Sequence, residues 1–222
     1  MRPLSERWPK PVLPIDGRPV IATLLRELAA AGCTHATVVT GHLAEQVERL
    51  VGDGRAFALD VAFVRQLRAD GSADAVGRAL AAGAEPPFLV VGADTLFTSG
   101  DVARFATAFG ESGAAGAIAV RRDPAPAPPH RFAVRVESGR VTRVLDHDPR
   151  NPLAGAPLWG LGPALVPHFE GLGGPPYELA EVFQRGVDAG LHVAGIEIGR
   201  TRDLTRPVDL MQENFPYLNA YE

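Results

Sequence analysis

Between residues 19 and 121, runs with strand character alternate with runs with helical character, and this alternation restricts the possible folds more than any other feature. PVIATLLRELAAAG, 19 to 32, spaces its apolar residues helically and ends on a glycine, which predicts a helix with its C-cap. HATVVTG, 35 to 41, is a short β-branched run and predicts a strand. LAEQVERLVGDG, 43 to 54, is helical again, with a glycine stop, and ALDVAFVRQ, 58 to 66, alternates as a strand does. SADAVGRALAAG, 72 to 83, opens on an N-cap serine and predicts a helix. PFLVVGADTLF, 87 to 97, is a nearly all-apolar strand running into a polar loop, and a helix at 101 to 111 and a strand at 115 to 121 follow. Spacing of this kind predicts βαβ units. The expected class is α/β: a Rossmann-like, mostly parallel sheet with helices on both faces.

The rhythm changes after residue 122. DPAPAPPH, 123 to 130, is too rich in proline for a helix or a central strand. RFAVRVESGRVTRVLDH then predicts two strands joined at Ser-Gly, an antiparallel β extension of the sheet in the C-terminal half. Helices near 163 to 170 and 177 to 190, a strand at 192 to 198 and a helix at 207 to 214 complete the chain. The whole, 1 to 222, is expected to form one domain whose halves meet near residue 121. A chain of this length buries a sizeable core without covalent staples. The single cysteine, Cys33, excludes an internal disulfide and a multi-cysteine metal site, and its setting predicts a small buried residue. A net charge of −4 gives no electrostatic footprint for nucleic acid or an anionic membrane. With no 18-residue apolar run and no signal-type segment, the expected location is cytoplasmic.

Candidate chemistry begins with Lys10. It is the only lysine in a chain whose other 21 Lys/Arg positions are arginine. Pro9, Pro11 and Pro14 surround it and predict a stiff extended segment. Arginine is a planar fork and lysine a compact point charge, so a site shaped for the second resists replacement by the first. The plain alternative is a solvated surface lysine. In open α/β sheets, ligands sit beyond the carboxyl ends of strands. Gln66, Asp94 and Asp203 all follow predicted strands. Asp94 could cap the next turn and Asp203 the last helix, or the two carboxylates could converge on a hard cation such as Mg²⁺. Asp146, His147 and Asp148 are a weaker metal-like cluster, being merely adjacent in sequence. The GxxxxGK[ST] and GxGxxG phosphate motifs do not occur, which argues against a P-loop ATPase and a dehydrogenase.

Four stretches, in order, resemble one family. MRPLSERWPKPVLPIDGRPVI is similar to the segment after the signature loop of the sugar-phosphate nucleotidylyltransferases, the group containing glucose-1-phosphate thymidylyltransferase. QLRADGSADA resembles that family's base-recognition stretch, VVGADTLF its metal-binding strand end, and RDLTRPVDLMQEN its second metal segment. The resemblance implies that Lys10 contacts the reacting phosphates, that Gln66 and the backbone of Gly71, with Ser72 beside it, bind the nucleotide's base, and that Asp94 and Asp203 hold Mg²⁺. It implies a reaction between an NTP and a sugar 1-phosphate that gives a nucleotide-sugar and pyrophosphate. Residues 1–121 would then be the nucleotide-binding half and 122–222 the acceptor-binding half, with a homo-oligomer left open.

Three departures accompany the resemblance. Family members begin with a strand and a Gly-x-Gly-x-Arg loop, absent here ahead of MRPL. That strand is central, and deleting it leaves two unpaired edges inside the sheet, so roughly a dozen further residues are expected upstream. The lysine of a Glu-Lys-Pro stretch has no counterpart in LDHDPRNP, and Ala133 and Pro157 stand where sugar-contacting glycines are expected. The alternatives are therefore another phosphorylated acceptor, such as phosphocholine, or a paralogue that binds nucleotide-sugar and regulates a partner.

Overall fold

The computed structural model describes residues 3–122, 133–204 and 206–215, with Asp203 described by its backbone only. The proline-rich stretch 123–130 lies outside the described residues. The chain starts with a one-turn helix α1 (Leu4–Arg7) and a 3-10 turn over Lys10–Val12. The segment around Lys10 is thus turned, whereas the prolines predict extension. Pro11 sits at the second position of that turn. There its fixed φ suits the bend and its missing N–H is not needed. A hairpin follows, β1 (Pro14–Ile15) and β2 (Arg18–Pro19). Asp16 and Gly17 both have positive φ, which is what a two-residue Asp-Gly turn demands.

Then come α2 (Val20–Ala30), β3 (His35–Thr40), α3 (Ala44–Val51), β4 (Asp60–Arg65), α4 (Ser72–Ala81), β5 (Phe88–Val91), β6 (Thr95–Leu96), α5 (Asp101–Ser112) and β7 (Gly116–Arg122). These follow the predicted order closely. Strands β3 and β4 are parallel, in register from His35↔Asp60 to Thr40↔Arg65. The later elements are β8 (Arg135–Glu137), β9 (Arg140–Arg143), β10 (Leu153–Leu161), a 3-10 run Pro163–Phe169, α6 (Leu179–Asp188), β11 (Val193–Glu197), β12 (Arg202–Asp203) and α7 (Pro207–Asn214).

Six strands form one sheet in the order β5-β10-β7-β11-β9-β8. β10 is antiparallel to both β5 and β7, and β11 is parallel to β7. So β5, β7 and β11 run one way, with β10 inserted against them. β8 and β9 form the expected antiparallel extension, turning at Ser138 and Gly139. Strand β7 is buried along Gly116–Val120 and sorts its side chains by period 2. Ile118 and Val120 face a cluster with Trp159, Leu165 and Phe183, which also packs α4 and α6. Ala117 and Ala119 face Phe105 and Phe109 of α5 on the other side. Full burial of an aromatic such as Phe105 contributes about 1.5–3 kcal/mol.

The sheet stays open in one place. The β3–β4 pair and β5 are not hydrogen-bonded to each other among the described residues. Yet the same helices cover both. α2 packs on β3 and β4 through Ile21 and Leu25, and reaches β5 through Leu28 and Ala31, which lie in one cluster with Leu89 and Val91. On the opposite face, Val76 of α4 shares a cluster with Phe88 and Val90. The four apolar residues of β5 are half-buried, whereas the central residues of β7 are buried. β3 and β5 thus each keep one edge without a strand partner among the described residues.

Candidate active site

The loops leaving β3 and β5 open on one cleft of about 620 Å³, lined by Ser5, Glu6, Pro9, Lys10, Pro11, His42, Ala93 and Asp94. The 3-10 turn that carries Lys10 is fastened by Leu13 N–H donating to the Lys10 carbonyl at 3.0 Å. From it the Lys10 ammonium donates to Asp94 Oδ2 at 2.9 Å. Both side chains remain about one-third exposed, 34% and 36%, so the pair is open to a ligand. Asp94 follows the half-buried end of β5. Gly92 makes that turn possible: a Cβ there would lie 2.9 Å from Cβ of Pro157. Gly92 N–H donates to the Pro157 carbonyl at 2.8 Å, which ties the loop to β10.

The backbone of Asp203 comes close to this point. β12 pairs with β6 with Asp203 opposite Thr95, and Leu204 N–H donates to the Asp94 carbonyl at 3.1 Å. The side chain of Asp203 lies outside the described residues. A magnesium ion is commonly held by one or two carboxylates plus substrate phosphates. Asp94, half-exposed and balanced by a single cation, suits that minimal donor set. Among the described residues no three His, Cys, Asp or Glu side chains cluster as a complete metal cage.

Gln66 and Gly71 are placed together, but away from the walls of the Lys10 cleft. Gln66 stands at the carboxyl end of β4, where its N–H donates to the Thr40 carbonyl at 2.7 Å. Its side-chain amide donates to the Gly71 carbonyl at 3.0 Å and to Asp74 Oδ2 at 2.8 Å. Arg78 donates to the same carboxylate oxygen at 2.6 Å. The Arg78 hydrogen bond, helped by that from Gln66 and opposed by desolvation, holds Asp74 below the usual carboxylate range. Gly71 has φ +108°, and a Cβ on it would come within 2.2 Å of the Tyr177 carbonyl oxygen. Ser72 donates to Glu178 Oε2 at 2.6 Å and accepts from Leu179 N–H at 2.8 Å. So Gly71 and Ser72 fasten the start of α4 to the start of α6. In this structure these residues build a hydrogen-bonded loop after β4, outside the residues that line the cleft.

The cluster at 146–148 is held by arginine. Asp146 receives Arg135 and Asn151. Asp148 is bound by Arg150, which brings its carboxyl down to about 2. Arginines face these carboxylates, and no third His, Cys, Asp or Glu joins them among the described residues, which argues against the metal-like reading. Cys33 is intermediate in exposure rather than buried, and burial raises its thiol pKa. His42 was not singled out by the sequence: a lone histidine after a strand carries no spacing signal. Its place in the cleft follows only from where β3 ends.

A family model described as the MobA-like NTP transferase domain matches residues 3–172. N-acetylmuramate alpha-1-phosphate uridylyltransferase of Neisseria meningitidis serogroup B is 36% identical over 110 residues, 49% of this chain and 47% of that protein. The low-salt glycan biosynthesis nucleotidyltransferase Agl11 of Haloferax volcanii is 26% identical over 96% of this chain and 61% of its own length. The chain thus spans about half to three-fifths of the length of these two relatives. A UDP-glucose pyrophosphorylase crystallised with UDP-glucose superposes with a TM-score of 0.84 at 16% identity, covering 99% of this chain and 94% of that one. That likeness shows a shared fold.

Proposed function

The chain belongs to the MobA-like NTP transferase domain family, and we propose that it joins an NTP to a sugar 1-phosphate, giving a nucleotide-sugar and pyrophosphate. The observation that carries this reading is the Lys10–Asp94 pair, set in an open cleft at the carboxyl ends of β3 and β5. Relatives named as sugar-phosphate nucleotidyltransferases, among them a glucose-1-phosphate thymidylyltransferase of Streptomyces antibioticus, support the substrate class.

In the reaction, an oxygen of the sugar phosphate attacks the α-phosphorus in line. The bond from that phosphorus to the bridging oxygen breaks, and pyrophosphate leaves with the bond's electron pair. Negative charge spreads over the phosphoryl oxygens as this happens. Lys10 supplies a fixed positive charge there, and Asp94 keeps its ammonium in place before substrate arrives. Mg²⁺, when bound, supplies further neutralisation of the phosphates. Asp94 and Asp203 would hold it. Gln66, Gly71 and Ser72 form the loop toward which the base would extend. Residues 1–222 hold no second lysine, so within them the acceptor phosphate would be gripped by arginine or backbone N–H groups.

Pyrophosphate release, followed across the common NTPs and a panel of sugar 1-phosphates, tests the reading. Release with at least one pair, and its dependence on Mg²⁺, are expected. Release with phosphocholine and with no sugar phosphate would move the chain to the other acceptor class.

A further inference from the structure

The Lys10 ammonium occupies the place where a cation would meet Asp94. It donates to Oδ2 at 2.9 Å, and Asp94 Oδ1 has no hydrogen-bond partner among the described residues. Lys10 in turn has no other side-chain partner among the described residues. Pro9, Pro11 and the Leu13 N–H fix the backbone of the turn beside Asp94, while the flexible stem lets the ammonium move to a phosphate when one arrives. A divalent ion on the same carboxylate would sit a few ångströms from a like charge, in a cleft only partly screened by water. Until a triphosphate brings further negative charge, the ammonium and the ion compete for the Asp94 carboxylate.

We propose that Lys10 closes the Asp94 cation site in the nucleotide-free protein, so that the divalent ion enters only with the triphosphate. The inference rests on the reading of Asp94 given above. The triphosphate carries enough negative charge to satisfy the ammonium and the metal together. NTP and metal are then coupled through one side chain. Each raises the other's affinity by the same factor, as linkage requires. The coupling keeps the cleft from holding a metal that lacks a phosphate to act on.

Mn²⁺ serves as the probe, because it takes oxygen ligands and is paramagnetic. Its binding is measured by electron paramagnetic resonance on the full chain, with and without a non-hydrolysable NTP analogue. For the unsubstituted protein, Mn²⁺ alone should bind weakly, and the analogue should tighten it at least tenfold more than the analogue's own Mn²⁺ affinity explains. Lys10→Met keeps the apolar stem and removes the charge. It should bind Mn²⁺ alone at least tenfold more tightly than the unsubstituted protein, with most of the coupling lost. Lys10→Gln should behave alike, and Asp94→Asn should lose the binding of Mn²⁺ alone and show no tightening beyond the analogue's own Mn²⁺ affinity. If Lys10→Met and Lys10→Gln, folded by circular dichroism, bind free Mn²⁺ no better than the unsubstituted protein, the inference is wrong while the transferase reading stands. If Mn²⁺ fails to bind at Asp94 even with the analogue, the metal assignment falls and takes the inference with it.

Discussion

At the scale of single residues, the argument turns on whether Lys10 contributes charge or shape. Lys10→Ala should fold normally and lose about 10²–10³ in kcat, as removal of one transition-state contact does. Lys10→Arg separates the two contributions. A guanidinium is wider and its charge more spread than an ammonium, so in a turn this tight it should restore less than a tenth of the rate. Full restoration would show that charge alone suffices. A second residue to probe is Glu27 on α2. Burial, and behind it the neighbouring Asp101 charge, raise its pKa, and its Oε2 is buried without a hydrogen-bond partner among the described residues. The folded state therefore holds the Glu27 proton more tightly than the unfolded one. That favours folding below the ordinary glutamate pKa and is lost as pH rises through the raised value. Glu27→Gln should consequently raise Tm at pH 7, by about 2–4 °C if about 1 kcal/mol of desolvation cost is relieved. It should change little near pH 4. A gain of equal size at both pH values would assign the effect to packing. Lys10 and Asp94 were legible in the sequence for physical reasons: one is the sole survivor of a residue type, and the other ends an apolar strand. That the Lys10 ammonium points toward Asp94 follows from the family resemblance and agrees with the structure; spacing alone does not give it, because the two residues lie 84 positions apart and only the fold brings them together.

At the scale of elements, α4 and α6 depend on a close backbone approach. Tyr177 N–H donates to the Asp70 carbonyl at 2.7 Å and Ala73 N–H to the Tyr177 carbonyl at 2.8 Å, with Gly71 between. Gly71→Ala places a methyl group into backbone at a φ that side chains rarely adopt. It should cost about 2–3 kcal/mol in urea unfolding. A loss under 0.5 kcal/mol would mean the two segments part without penalty. The helices and β-branched strands of the first half were readable because each is periodic and punctuated by glycine. Strand β10 was not, although it is the longest. Gly155, Pro157 and Gly160 interrupt its pattern, and Pro157 and Gly160 pack closely on Gly92 and Phe109. A Cβ on Gly160 would meet the Phe109 ring at 2.5 Å, so tertiary packing selects a residue that propensity disfavours. The turn at Lys10 was misread for a related reason: proline excludes the helix interior but fits the first turn of a 3-10 bend.

At the scale of the whole molecule, the open edges of β3 and β5 are the feature that most departs from a closed fold. Their free amides have no partner strand among the described residues, while β7 and β10 are paired on both sides. Hydrogen exchange should therefore be at least about 100-fold faster at the unpaired amides of Phe88–Val91 than along Gly116–Val120. Equal protection would show that another segment fills the space. The same open edges border the cleft that holds Lys10 and Asp94, so the local chemistry and the completeness of the sheet bear on each other. The most direct measurement of the central claim is pyrophosphate release by the unsubstituted protein and by Lys10→Ala under identical conditions, with the best NTP and sugar 1-phosphate found for the former. The account expects release by the unsubstituted protein and a fall of about 10²–10³ in the variant at unchanged stability. Release by Lys10→Ala at the unsubstituted rate would contradict it.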